Sequence, residues 1–72
     1  MLIIHADRSA ITNFNNAKCI CLSGRYIHTR MTDNTKITLA AYESEERAKE
    51  VFLDIVNTIS QRRVDVMPLP EV

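Results

Sequence analysis

The stretch Tyr42 to Gln61, YESEERAKEVFLDIVNTISQ, decides the fold, because the hydrophobic period changes where it begins. Before Tyr42, short apolar runs alternate at every second residue, as half-buried strands do; from Ser44 they recur at a period of about 3.6, as one side of a helix does. Ser44 suits the N-cap position, and Glu45 and Glu46 complement the positive end of the helix dipole. Ala48, Val51, Phe52, Ile55, Val56 and Ile59 fall on one stripe, with Leu53 off it. The pattern predicts an α+β domain: an antiparallel sheet of four to five short strands with one C-terminal amphipathic helix packed on one face. Residues 1–63 make up that domain. Arg62 and Arg63 suit the helix C-terminus, and residues 64–72, with two prolines, form an extended C-terminal tail.

Working back from the helix, Leu2 to His5 and Ala10 to Phe14 read as two strands joined near Asp7 and Arg8, and Asn13 to Asn16 as a turn. Lys18 to Leu22 and Arg25 to Met31 flank Ser23-Gly24, the only glycine in the chain, which suits a two-residue hairpin turn. That turn sets Leu22 opposite Arg25, Cys21 opposite Tyr26, Ile20 opposite Ile27 and Cys19 opposite His28. For the next hairpin, a three-residue loop from Asp33 to Thr35 pairs Met31 with Ile37, Thr29 with Leu39 and Ile27 with Ala41, which gathers the apolar residues on one side. The helix then covers Ile20, Leu22, Ile27, Thr29, Met31, Ile37, Leu39 and Ala41. The opposite face collects Cys19, Cys21, Tyr26, His28, Arg30, Thr38, Ala40 and Tyr42.

A chain of 72 residues holds one core and buries only about 60% of its unfolded surface, so a homo-oligomer is a natural way to cover more. No run is long enough to span a bilayer, and Met1 to Ala6 is too short for a signal-peptide core, which points to a cytoplasmic protein without membrane contact. Cys19 and Cys21 flank Ile20 on one side of a strand, roughly 6.5 to 7 Å apart, a spacing that favours two reduced thiols.

Formal net charge is zero but unevenly spread. Met1 to Tyr42 carries Arg8, Lys18, Arg25, Arg30 and Lys36 against Asp7 and Asp33, a balance of +3; Glu43 to Gln61 carries five acids against Arg47 and Lys49, a balance of −3. A +3 sheet falls short of the footprint of a DNA or RNA binder but could hold one small anion.

No glycine-rich phosphate loop, G-x-S-x-G, H-E-x-x-H or calcium loop is present, so the expectation is a non-enzyme without a cofactor. Cys19, Cys21 and His28 could offer soft metal ligands, but three ligands beside Arg30 do not make a structural zinc site. Arg25, Tyr26, His28 and Arg30 lie on one strand and its turn and offer charge and ring faces to a small anionic, nucleotide-like ligand, or else solvate an exposed strand. Leu53, Met67 and Leu69 are the expected oligomer contacts.

Asn13 to Asn16, NFNN, and Tyr42 to Val51, YESEERAKEV, resemble segments of small strand-then-helix proteins from Gram-positive bacteria, their prophages and phages. The resemblance spans nearly the whole layout, and its motifs are structural; Cys19, Cys21 and His28 have no counterpart in it. It implies a phage or mobile-element context, where very small proteins commonly act by binding and some sequester nucleotide-derived signals of host defence. Three readings follow: a ligand-sequestering homo-oligomer, a protein–protein module or inhibitor of a host protein acting through the acidic surface of Glu46, Glu50 and Asp54, and a small enzyme using Cys19 or His28 across a subunit boundary.

Overall fold

The computed structural model describes residues 1–61 and 65–72. Its strands are β1 (Leu2–Ile4), β2 (Ile11–Asn13), β3 (Ala17–Ser23), β4 (Tyr26–Met31), β5 (Lys36–Ala41) and β6 (Val66–Pro68), with the helix α1 (Glu45–Gln61) between β5 and β6. The α+β class and the five strands ahead of the helix are as the sequence predicts. Arg62, Arg63 and the domain boundary after residue 63 lie outside the described residues.

The expected single sheet is instead two three-stranded sheets, β2-β1-β6 and β3-β4-β5. Strand β1 pairs antiparallel with β2 and parallel with β6, so the extended tail is a strand and not a free end. Leu2 N–H donates to Asp65 C=O at 2.7 Å and Leu69 N–H to Ile4 C=O at 3.1 Å. Pro68 ends this edge strand, where a missing N–H costs nothing. The sheets are linked where Ala6 N–H donates to Leu39 C=O at 3.1 Å.

Helix α1 starts as its sequence dictates: Arg47 N–H donates to Ser44 Oγ and Ala48 N–H to Ser44 C=O, both at 3.1 Å. Ala48, Val51 and Ile55 are fully buried, while Phe52 and Ile59 are partly buried against them. Val56 departs from the expected stripe and is exposed. One residue past Ile55, it is turned about 100° away from the sheet. The main contacts of α1 are with β4 and β3. Its buried residues share one core with Ile3, Ala6, Ile27, Leu39, Ala40, Tyr42 and Leu69.

Both hairpin turns sit one residue from their expected places. Ser23 pairs with Tyr26, Leu22 with Ile27, Cys21 with His28, Ile20 with Thr29 and Cys19 with Arg30, so the turn residues are Gly24 and Arg25. Gly24 has φ +58, which fits the first central position of a type II′ turn, where glycine is favoured. The second loop keeps its three residues but runs from Thr32 to Asn34: Met31 N–H donates to Thr35 C=O, and Asn34 takes the left-handed conformation at φ 71. Moving a two-residue turn by one residue shifts each pairing by two, so Ile20, Leu22, Ile27 and Thr29 keep their common face.

Strand β5 breaks the simple alternation. A register shift opposite Ile27 and His28 lets both Leu39 and Ala40 turn inward and reverses every later position. Ala40 and Tyr42, expected on the outer face, are buried; Ala41, expected in the core, is exposed. Burial raises the Tyr42 phenol pKa, and its hydroxyl donates to Pro70 C=O at 2.8 Å, which anchors the tail.

Arg8, counted with the basic strands, is committed to the same tail. With φ 62 it reaches Leu69 C=O at 2.6 Å, His5 C=O at 3.2 Å and Glu71 at 3.4 Å. Arg8→Ala is expected to destabilise the fold by about 1 kcal/mol, most of it from the carbonyl bonds because the Glu71 pair is solvent-screened. A thermal melt followed by circular dichroism would show this as a drop of several degrees.

Candidate functional site

The outer face of β3-β4-β5 is a grid in which each β4 residue stands between two partners. Tyr26 lies between Ser23 and Ala41, His28 between Cys21 and Thr38, and Arg30 between Cys19 and Lys36. These nine positions include no acid. The face brings Tyr26, His28 and Arg30 together as expected, and Arg25 joins them from the turn. The Tyr26 and His28 rings are stacked, with centroids 6.0 Å apart and planes 8° from parallel, and the Arg25 guanidinium carbon lies 5.7 Å from the Tyr26 centroid. His28 Nδ1 and Thr38 Oγ1 share a hydrogen bond of 3.2 Å.

Lys36 is the member of this site that the sequence did not reveal. In the expected register it faces Thr32 and not Arg30; only the true loop position sets the two cations directly opposite each other. Arg30 is held by a bond to Asn34 C=O at 3.0 Å, and Lys18 reaches Asn34 Oδ1 at 3.3 Å. Among the described residues, no carboxylate lies within ion-pair distance of Lys18, Arg25, Arg30 or Lys36; the two ion pairs present are Arg8–Glu71 and Arg47–Glu50. Directly opposed like charges destabilise a strand pair, so the row is one that an anion would relieve.

Partial burial, then the positive charge of Lys36, lowers the His28 pKa below its ordinary value, so the ring is neutral at pH 7. The Cys19 and Cys21 thiols are free and exposed, with sulfurs 3.8 Å apart. Their hydrogen bond, ahead of burial, raises the Cys21 pKa, which makes Cys21 a poor thiolate at neutral pH even though His28 is its cross-strand neighbour. Among the described residues, no three His, Cys, Asp or Glu side chains are grouped to hold a metal ion.

A depression of about 200 Å³ on this face is lined by Cys21, Ser23, His28, Thr29, Arg30 and Lys36. That is smaller than the roughly 300–1,000 Å³ of ordinary ligand pockets, so one chain supplies only part of an enclosure. A larger hollow of about 540 Å³ runs along Tyr42, Glu43, Ser44, Arg47, Glu71 and Val72, but two carboxylates face Arg47 there and leave no excess of positive charge.

The expected oligomer contacts fare differently. Leu53 is 50% exposed and Met67 is partly buried, but Leu69 is 0% exposed within its own chain, which removes it as a surface contact. A further apolar surface went unread: Leu2, Ile11 and Val66, all exposed, share the outer side of β2-β1-β6. Its only sequence signal was the alternation within three-residue strands, too short to assign faces.

The fold and this face define a small α+β domain with an open, basic-aromatic sheet surface. Compared with known proteins, the chain matches no family model, no curated protein and no solved structure. No helix among the described residues is long and apolar enough to cross a membrane.

Proposed function

We propose that this chain is a non-catalytic binding protein that sequesters a small anionic, nucleotide-type ligand on the outer face of β3-β4-β5, and that it does so as a homo-oligomer. The observation that carries this reading is the directly opposed Arg30 and Lys36, unpaired with any described carboxylate and adjoining the stacked Tyr26 and His28 rings. Phosphate oxygens suit the two cations, and a base or second ring suits the aromatic pair. The raised Cys21 pKa argues against a thiolate nucleophile. The resemblance to small phage and prophage proteins supplies the context: a cytoplasmic, mobile-element protein whose ligand is a nucleotide signal of host defence.

Titration calorimetry with linear and cyclic ADP-ribose compounds and cyclic dinucleotides tests the proposal. Binding of one class is expected, weakened at least about 30-fold in Arg30→Ala/Lys36→Ala, as loss of two charge-assisted contacts implies. No heat from any of these ligands at millimolar concentration would sink it.

The same experiment has a pH signature. A bound phosphate stabilises protonated His28, so binding takes up a proton between the lowered free-state pKa and the higher bound-state pKa. Affinity therefore rises as pH falls from neutral through that window and levels off below the free-state value. His28→Gln is expected to flatten the profile. Without ligand the sign for stability is opposite: the lowered pKa means stability is lost as pH falls from about 6.5 through the folded-state value.

One observation favours the alternative, a module that binds or inhibits a host protein. Leu53 and Val56 are 50% and 38% exposed on α1, close to the acidic residues Glu46, Glu50 and Asp54. A single host partner captured by the wild type and lost on reversing those three charges would favour it over sequestration.

A further inference from the structure

Most sheet edges in this molecule are occupied or short, and one is neither. The outer side of β5 is met by Ala6 at Leu39 and bordered by Asp7 and Val72. Strands β2 and β6 have three residues each, and β6 ends in proline. Strand β3 has seven residues and no neighbour beyond it among the described residues. Lys18 and the register shift between Ala17 and Cys19 blunt its first residues, as edge strands require. From Cys19 to Ser23 it carries no charge, no proline and no bulge.

The backbone direction along that edge follows from the neighbouring pairings. Met31 N–H donates to Thr35 and Arg25 C=O accepts from Tyr42, so the odd residues of β4 bond toward β5 and the even ones toward β3. Arg30, His28 and Tyr26 thus bond to Cys19, Cys21 and Ser23, which leaves the N–H and C=O groups of Ile20 and Leu22 pointing outward. The Thr29 hydroxyl, which donates to Cys19 C=O at 2.9 Å, agrees with this direction. The side chains of Ile20 and Leu22 pack on the core but remain partly exposed at the same edge.

We infer that β3 is a dimerisation edge, on which the β3 of a second copy pairs antiparallel about Cys21, with Ile20 of each copy opposite Leu22 of the other. Of the symmetric registers that direct the outward backbone groups at one another, centring on Leu22 runs Ile20 into the turn at Gly24. Centring on Ile20 sets Lys18 against Leu22, whereas centring on Cys21 covers an apolar side chain with an apolar one, and hydrophobic pattern selects register. The two Cys21 residues then form a non-hydrogen-bonded pair with Cα atoms about 4.5 Å apart, within disulfide reach. The inference rests on the homo-oligomer part of the proposed function and gives it a surface. The β3-β4-β5 sheets of the two copies become one sheet of six strands, and the depressions beside Cys21 meet at the two-fold axis as one trough. Because α1 stands over β4 and β3, the two helices also stand side by side, where exposed Leu53 is available.

Oxidative cross-linking of single-cysteine variants tests the register. With diamide at about pH 8.5, two thiols lose two protons and two electrons to form the disulfide while diamide is reduced to its hydrazine. Cys19→Ser, which keeps Cys21, is expected to form covalent dimer at least about tenfold faster than Cys21→Ser, because only the axial pair meets the geometry. Ile20→Pro removes an outward N–H at an edge that tolerates proline; it is expected to remain folded by circular dichroism and to be monomeric by sedimentation. Equal cross-linking rates, dimers persisting in Ile20→Pro, or a wild type monomeric at submillimolar concentration would each overturn the inference. Calorimetry on the same samples separates the two claims: dimers that bind no nucleotide overturn the ligand reading alone, and monomers that bind one overturn the dimer alone.

Discussion

Ile55→Ala is expected to remove a large share of this protein's stability. Ile55 is 0% exposed and shares a buried core with Val51, Ala48, Ile27 of β4 and Leu39 of β5. Truncating a buried isoleucine costs about 2–5 kcal/mol, because the cavity adds to the lost transfer energy. At roughly 0.05–0.15 kcal/mol per residue, a domain of this length has only about 4–11 kcal/mol in total. At about 4–8 °C for each kcal/mol in a domain this small, the midpoint falls by about 8 °C or more. The adjacent Val56→Ala is the internal control: 38% exposed, it is expected to stay within about 0.5 kcal/mol of wild type. Urea melts of the two variants check the pair, and equal losses would show that the sheet-facing side of α1 has been misassigned.

The contrast between Ile55 and Val56 marks the limit of what the sequence could say. Period alone located α1, its Ser44 cap and the side it buries, because helical spacing is redundant over 17 residues. It left Val56 ambiguous, since a stripe about 100° wide has margins and only the sheet decides which one is covered. Strands carry less redundancy. Three-residue β1 and β2 were recognisable from composition, but the parallel pairing of β1 with β6 was not, because those strands are far apart in the sequence and no local pattern encodes the contact.

The candidate site was legible in its residue types and blurred in its geometry. Tyr26, His28 and Arg30 fell on the right face because a turn displaced by one residue preserves parity. Lys36 was missed for the same displacement, which changes partners while keeping faces. Ala40, Ala41 and Tyr42 were reversed by the bulge in β5, which has no glycine or proline to announce it. Tyr42 shows the consequence most clearly: simple alternation places it on the outer face of the sheet, and it is a buried anchor for the tail.

Leu69→Ala is expected to match Ile55→Ala in severity, at about 2–5 kcal/mol, although Leu69 stands only three residues from the C-terminal Val72. A terminal residue usually tolerates change, because few contacts hold it. Here Leu69 is 0% exposed, its N–H donates to Ile4 and its C=O accepts from Arg8, while Tyr42 grips Pro70 beside it. Removing the side chain opens the core where β1, β5 and the tail meet. The measurement also separates the two roles available to an apolar residue near a chain end. A residue that packs within its own chain gives a stability loss independent of protein concentration; a subunit contact makes the melting temperature rise with concentration by mass action in the wild type and removes that dependence in the variant. For Leu69→Ala the loss should be the same at low and high micromolar concentration. A wild-type dependence that vanishes in this variant would return Leu69 to the interface. The β3 edge predicts that Ile20→Pro, and not Leu69→Ala, abolishes any such dependence, so the same two melts that place Leu69 in the core also locate the surface where copies meet.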